Sequence, residues 1–397
     1  MKEASTRSLR TLHTVFSLHN KLGGAVHATV GICQYLAQAG QPAAVAATIG
    51  PGDELDYLQQ TYPAVRTHTF ERSFPVRRWN SAAFRRWVPG ALANYDLVEI
   101  HSIFAGITWH AARACQRARM PYFVRPHGSL DPFDLQKRAG LKKLLGPLFV
   151  RPVLAGAQAV LLASPMEAKR LVTYGAKVRR LVVPLPVVLP VDPGDGSAFR
   201  RRHRIPEDAV VVLFMSRVVC NKGLDFLIPA LGRLQQAFPK LWFVLAGAGE
   251  AAFTVRVRGW LAEHGLTERT SEVGFISGGD KQDALAAADL FALPSMKENF
   301  GIVLIEAMHA GLPLLISDEV YIHEEIRAAG AGLVCRPETG SVTETLRRLL
   351  RSVEERAAMG ARGRELVQHR YRPEAATELL VRTYRDTLGL APATGQE

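Results

Sequence analysis

The chain has 397 residues and 48% apolar content, enough for two domains of ordinary size and unlike a disordered or fibrous protein. Its net charge of +12 is unevenly held: residues 1–190 carry 24 Lys+Arg against 10 Asp+Glu, and residues 191–397 carry 25 against 27. No run reaches the roughly 20 apolar residues that span a bilayer, and the N-terminus lacks the long apolar region of a signal peptide, so a cytoplasmic protein is expected.

In chain order, Leu9–Leu18 reads as a first strand, Gly23-Gly24 as a turn, Ala25–Ala39 as a helix and Val45–Ile49 as a second strand. Tyr95–His101 is a buried strand with a polar end, Ala111–Ala118 a helix, and Tyr122–Arg125 and Ala159–Ala163 further strands. Pro184–Gly196 holds four prolines and two glycines, which disfavour helix and central strand alike, and reads as a linker. Beyond it, strands Ala209–Ser216, Leu241–Ala246, Leu290–Leu293, Pro313–Ser317 and Gly332–Val334 alternate with helices at Gly223–Phe238, about Ala251–His264 and about Gly301–Ala310; Leu346–Leu350 and Glu374–Asp386 are late helices. This alternation predicts an α/β chain of two doubly wound, Rossmann-like halves. Ligands of such sheets bind beyond the carboxyl ends of the strands, which makes a cleft between the halves the default site.

Three segments of the second half concentrate chemistry. In Phe291–Pro313, Glu298 precedes an apolar helix opened by Gly301, and Glu306 lies within it. A helix N-terminus seats phosphate, and carboxylates flanking it suit sugar hydroxyls, although a cap and a surface glutamate would have the same spacing. Arg217 ends a buried strand and Lys222 precedes a helix, a cation pair suited to a diphosphate or, read alone, two solvated loop cations. Gly247 and Gly249 follow another strand in a loose G-x-G-x-x-A pattern, which alone is more often a tight turn.

Taken in order, Arg217, Lys222-Gly223, Gly247/Gly249, Gly274-Phe275, Glu298 with Glu306, and Gly311-Leu312-Pro313 resemble the donor domain of the retaining GT-B glycosyltransferases called family 4, of bacterial surface-polysaccharide type. The resemblance is close over about residues 210–340 and looser elsewhere. It implies a GT-B fold with an acceptor domain over 1–187, a donor domain over 188–371, and a C-terminal helix at about 372–390 packing back on the first. It further implies that Arg217 and Lys222 contact the donor diphosphate, Glu298 the sugar hydroxyls, and Glu306 the ribose. The amides of Asn299, Phe300 and Gly301 would support sugar and phosphate, and the backbone of Phe275 and Ile276 would meet the base.

In the first half, Gly23 and Gly24 open a helix and resemble the family's glycine loop beneath the diphosphate. Arg125-Pro126-His127-Gly128 places His127 at a strand end, where it resembles the family's active-site histidine. His101 is a second candidate that would equally brace the first, and Arg125 is a supporting or acceptor-side candidate. Ser164 and Glu167 resemble the opening of the family's last N-domain helix, with Ser164 as a cap. Two basic stretches interleave cations with large apolar residues: Phe74–Val88, with Arg77, Arg78, Arg85 and Arg86, and Lys137–Arg151, with Lys137, Arg138, Lys142 and Lys143. Each reads either as a segment lying on an anionic membrane surface or as a core-facing helix with a solvated basic face.

The resemblance implies transfer of a hexose-type sugar from a UDP- or GDP-sugar to a glycan or lipid-linked acceptor, with retention and at the inner face of the plasma membrane. No carboxylate stands out as a nucleophile, so a front-face substitution with electrostatic stabilisation of the leaving diphosphate is expected. There is no Asp-x-Asp, and Cys33, Cys115, Cys220 and Cys335 lack metal or redox spacing, so neither cofactor nor metal is expected. Rival readings are a nucleotide-sugar epimerase of similar shape, a nicotinamide dehydrogenase using Glu268 or Glu272, and a basic nucleic-acid-binding protein. For the last, no accompanying motif is present, so no nucleic-acid partner is expected.

Overall fold

The structure, a computed structural model, describes residues 7–19, 22–51, 53, 55–74, 79–136 and 139–390. Arg77, Arg78, Lys137 and Arg138, grouped above with the basic segments, lie outside the described residues. The chain divides into two compact units, one made of Met1–Val188 with Arg372–Glu397 and the other of Leu189–Tyr371.

The first unit is built on seven parallel strands: β1 (Thr11–Val15), β2 (Ala43–Ile49), β3 (Arg66–Glu71), β4 (Leu97–His101), β5 (Tyr122–Arg125), β6 (Ala159–Leu162) and β7 (Arg180–Val182), in the order β3-β2-β1-β4-β5-β6-β7. Strands β1, β4, β5 and β6 are buried throughout, as expected where helices cover both faces. Strands β3 and β7 sit at the edges, and their charged, largely exposed sequences carry no strand signal, so the sequence reading passes over them. Helix Gly24–Gln38 follows β1, and the C-terminal helix Pro373–Leu388 packs against it within this unit.

The second unit holds six parallel strands: β8 (Val210–Met215), β9 (Leu241–Ala246), β10 (Thr270–Gly274), β11 (Leu290–Leu293), β12 (Leu314–Ser317) and β13 (Gly332–Cys335), ordered β10-β9-β8-β11-β12-β13. Strand β10 (TSEVG) is a polar edge strand and likewise escapes sequence reading. Both units are therefore Rossmann-like, and each sheet reverses its winding once, between β1 and β4 and between β8 and β11. Those reversals are the topological switch points where such sheets take ligands.

The two basic stretches fold differently. Ser81 caps helix Ala82–Ala91, its hydroxyl accepting from the Phe84 amide, and Phe84 and Val88 are buried. Trp79 lies under the Arg72 guanidinium at 4.2 Å, and Trp87 packs on Phe70. From Trp79 to Val88 this stretch is thus mainly core packing, with Arg85 and Arg86 on its solvent face, whereas Phe74 is exposed. In the other, helix Ala139–Leu145 runs into a π-helical turn at Gly146–Val150 and then helix Arg151–Ala155. The Tyr174 ring occupies the space of a Gly146 side chain, 2.1 Å from an added Cβ. Leu144 and Leu148 are 67% and 61% exposed, and Leu141 and Phe149 are exposed with them, so this apolar stripe is not core-facing.

Candidate active site

In the second unit, Lys222 and Glu298 meet at the β8/β11 switch point. Lys222 lies in a short turn after β8, and Glu298 follows β11. Gly223 stands at φ 77°, where an added Cβ would lie 2.1 Å from the Pro294 carbonyl oxygen, so only glycine lets the two loops touch. The Met296 amide donates to the Asn221 carbonyl at 3.0 Å and completes the join. The outcome is a direct ion pair between Lys222 Nζ and Glu298 Oε2, both largely withdrawn from solvent. Glu298 is also held through its backbone: its amide donates to Glu319 and its carbonyl accepts from Tyr321, each at 3.0 Å. Residues 319–321 thus form a short bridge alongside Glu298. Arg217 is exposed and has no ion pair with a described residue.

Glycines 247 and 249 are accounted for by backbone crowding. An added Cβ would lie 1.8 Å from the Ser216 carbonyl oxygen at Gly247 and 1.9 Å from that of Val218 at Gly249. Glu272, an acidic candidate of the dehydrogenase reading, is bonded to Arg258 at 3.0 Å, and Glu268 lies in a short turn before β10. The fingerprint therefore needs no dinucleotide to explain it.

Helix Ile302–Ala310 begins one residue after Gly301, which caps it at φ 73°. Phe300 is buried edge-on against Tyr371, so only its backbone is available to a ligand. The Asn299 side-chain oxygen is buried with no hydrogen-bond partner among the described residues. Glu306, 7% exposed, pairs with Lys281 at 2.6 Å. Lys281 lies on helix Gly278–Ala287, and the sequence reading missed it because nothing in the local pattern links it to Glu306. Gly274 at φ 71° turns the chain after β10, accepting from the Gly247 amide at 2.6 Å, and leaves Phe275 40% exposed.

In the first unit, Gly23 caps its helix at φ 95°, a conformation that favours glycine, whereas an added Cβ at Gly24 would meet nothing within 4 Å. His127 and Gly128 both adopt left-handed backbone, at φ 49° and 74°. For a non-glycine residue this costs about 1–2 kcal/mol, and the turn is fixed from outside. Glu167 accepts hydrogen bonds from the amides of Gly128 and Ala163, each at 2.7 Å, and Ser164 caps the Glu167 amide.

Beneath the turn, parallel pairing aligns His13 with Glu99 and His101 with Arg125. The imidazoles form a row: Thr11 Oγ1 to His13 Nε2 at 3.0 Å, His13 Nδ1 to His101 Nε2 at 3.0 Å, and His101 Nδ1 to His127 Nε2 at 2.9 Å. Glu99 accepts from Arg125 Nε at 2.6 Å and from the Tyr384 hydroxyl, and lies 3.5 Å from His101 Nε2. His101 is fully buried and braces His127, and Arg125, 1% exposed, is committed to Glu99 and the Val183 carbonyl rather than presented to an acceptor. Burial drives His13 down to about 4. Burial, then the Arg125 charge, drives His127 down to about 3, and burial with its charged neighbours holds His101 well below the ordinary value. Burial opposes ionisation of Glu99, but Arg125, His13 and two hydrogen bonds outweigh it and its carboxyl lies below the usual range. Ligand atoms of His13, Glu99 and His101 lie within 4.8 Å of one another, a spacing open to a metal ion, yet all are engaged in the bonds just described. His13, Glu99 and Tyr384 were invisible to sequence reading; the one available signal was Glu99, a charged residue inside the apolar run of β4.

The family model for glycosyl transferases group 1 matches residues 195–366, and that for the glycosyl transferase 4-like domain matches 23–186. A GDP-mannose-dependent monoacylated alpha-(1-6)-phosphatidylinositol monomannoside mannosyltransferase of Corynebacterium glutamicum is 31% identical over 201 residues, 48% of this chain and 51% of that protein. A D-inositol 3-phosphate glycosyltransferase of Xylanimonas cellulosilytica is 31% identical over 239 residues, 56% of this chain and 55% of that protein. In these matches the chain spans about half the length of the curated relatives. Among solved structures, Anabaena HepE in complex with UDP and glucose superposes with a TM-score of 0.79 at 20% identity, over 95% of this chain and all of that one. WaaG, a glycosyltransferase involved in lipopolysaccharide biosynthesis, gives 0.69 at 19% identity over 93% and 99%.

Proposed function

Because this chain belongs to the family 4 glycosyltransferases of GT-B fold, we propose that it transfers a hexose-type sugar, with retention and without a metal, from a nucleoside diphosphate to a glycan or lipid-linked acceptor. The Lys222–Glu298 pair at the β8/β11 switch point carries the reading. It sets a cation and a carboxylate side by side where a ligand bearing both phosphate and hydroxyls would enter. On donor binding, Lys222 turns to the diphosphate as a point charge and Glu298 accepts from sugar hydroxyls; Arg217 adds a bidentate phosphate contact. Glu306, released from Lys281, accepts from the ribose, and Phe275 and Ile276 meet the base through their backbone. HepE in complex with UDP-glucose and the GDP-mannose-dependent relatives support a nucleotide sugar without choosing the base.

As the glycosidic bond breaks, negative charge grows on the departing diphosphate, and Arg217 and Lys222 stabilise it. Removing one such donor costs on the order of 10²–10³ in rate. The diphosphate oxygen takes the acceptor's proton on the same face, so configuration is retained without an enzyme nucleophile. His127 contributes a hydrogen bond to the sugar.

The exposed Leu141, Leu144, Leu148 and Phe149, with Lys142 and Lys143 interleaved, support a peripheral position on an anionic membrane, where a lipid-linked acceptor would reside. Among the described residues no helix is long and apolar enough to cross a membrane.

The deciding experiment is thermal shift against UDP, GDP, ADP and dTDP and then their sugars, with excess EDTA present. Stabilisation by one nucleoside diphosphate assigns the donor class. Stabilisation by none, at concentrations well above ordinary affinities, overturns the donor-site reading.

A further inference from the structure

The imidazole row below His127 has a directional property. A neutral imidazole carries one N–H, so each link needs one donor and one acceptor. In a row of three, choosing the tautomer of any member fixes the other two. One arrangement has Thr11 donating to His13, His13 to His101 and His101 to His127, which leaves His127 Nδ1–H pointing away from the row. The reverse has His127 Nε2–H donating to His101 Nδ1, His101 Nε2–H to His13 Nδ1, and His13 Nε2–H to Thr11 Oγ1. His127 Nδ1 is then a bare lone pair with no partner among the described residues.

Glu99 selects between them. Its Oε1 lies 3.5 Å from His101 Nε2, the nitrogen that also meets His13. A carboxylate beside that nitrogen favours a hydrogen on it and disfavours a lone pair. Parallel pairing of β1 with β4 and the buried Arg125 and Tyr384 bonds hold Glu99 in place. The row lies almost wholly out of water, with His13, His101 and Glu99 at 0% exposure, so the preference is not screened.

We propose that Glu99, through His101, locks His127 as its Nε2–H tautomer, so that His127 Nδ1 acts only as a hydrogen-bond acceptor and selects a hydroxyl of the transferred sugar. His13, His101 and Glu99 are positioning residues: they act on the sugar through His127. Burial keeps all three imidazoles neutral near pH 7, as the row requires. The identity of the ligand as a sugar rests on the proposed function; the tautomer does not.

The first test therefore uses the ligand-free full chain. Long-range ¹⁵N–¹H spectra of the histidine-labelled protein at pH 7, assigned with His127→Gln, report which ring nitrogen carries hydrogen. The expected result is a protonated Nε2 and a bare Nδ1 in His127; a protonated Nδ1 overturns the inference. The second test compares His101→Asn, whose side-chain oxygen can stand where Nδ1 stood and accept from His127, with His101→Leu, which cannot. His101→Leu should give mixed His127 tautomers and a roughly tenfold higher KM for the nucleotide sugar, with affinity for the nucleoside diphosphate alone unchanged. His101→Asn should restore both the tautomer and the KM. Equal behaviour of the two folded variants would reject the positioning role. Absence of any nucleotide effect on a correctly tautomeric wild type would instead reject the proposed function. Should either variant fail to fold, the wild-type spectrum still decides.

Discussion

Acid should destabilise the first unit through its histidine row. Burial pushes His13 from an ordinary 6.5 down to about 4, and burial with the Arg125 charge pushes His127 to about 3. The unfolded chain titrates both near the ordinary value. Between about pH 6.5 and pH 4 it therefore binds more protons than the folded chain, so stability is full above that window and falls as pH drops through it. Each unit of pH is worth about 1.4 kcal/mol per imidazole, so at pH 5 the two together forfeit roughly 4 kcal/mol, against about 5–15 kcal/mol for a typical domain. His101 acts in the same direction. The groups facing the row are Glu99, Arg125, Tyr384 and Cys33; Glu99 has a depressed carboxyl and adds its own loss only at more acid pH. Urea unfolding at pH 7, 6 and 5, with a parallel ¹⁵N imidazole titration, checks this. A midpoint unchanged from pH 7 to 5, or a His13 ring titrating near its ordinary value, would refute the reasoning.

Lys222→Ala and Glu298→Ala should each slow transfer on the order of 10²–10³-fold while the chain stays folded, since the pair retains some solvent exposure and loss of one partner costs only roughly 1–3 kcal/mol; wild-type turnover with circular dichroism unchanged would remove the assignment. Transfer should survive excess EDTA, and full loss restored by magnesium would contradict the metal-free route. Leu144→Asp with Leu148→Asp should weaken flotation with anionic vesicles at least tenfold while leaving thermal stability unaltered, because both side chains are already exposed; unchanged flotation would favour a merely solvated face.

The sequence was legible wherever a feature is local. Buried parallel strands are often continuous apolar runs, so β8, β9 and β11 could be read directly. The motif residues Lys222, Gly223, Glu298 and Glu306 were each ambiguous alone and stood out only as a set, through their resemblance to the family's pattern. Edge strands β3, β7 and β10 were illegible because solvent on one side removes the apolar signal. The Phe74–Val88 stretch was ambiguous for a related reason: its helical pattern is the same whether the apolar face meets lipid or Phe70, and only the packing of Trp87 and Phe84 decides.

By itself the sequence determined the doubly wound class, which follows from periodicity, and the family, which rests on the resemblance of its loop motifs. Only the tertiary structure decided which charges are partners. Lys222 meets Glu298 76 residues away, and Tyr384 reaches Glu99 across 285. Likewise, the three histidines of the row come from three different segments of the first unit. Such pairings depend on strand order and register, which bring distant residues within hydrogen-bond reach, and no local pattern encodes that distance.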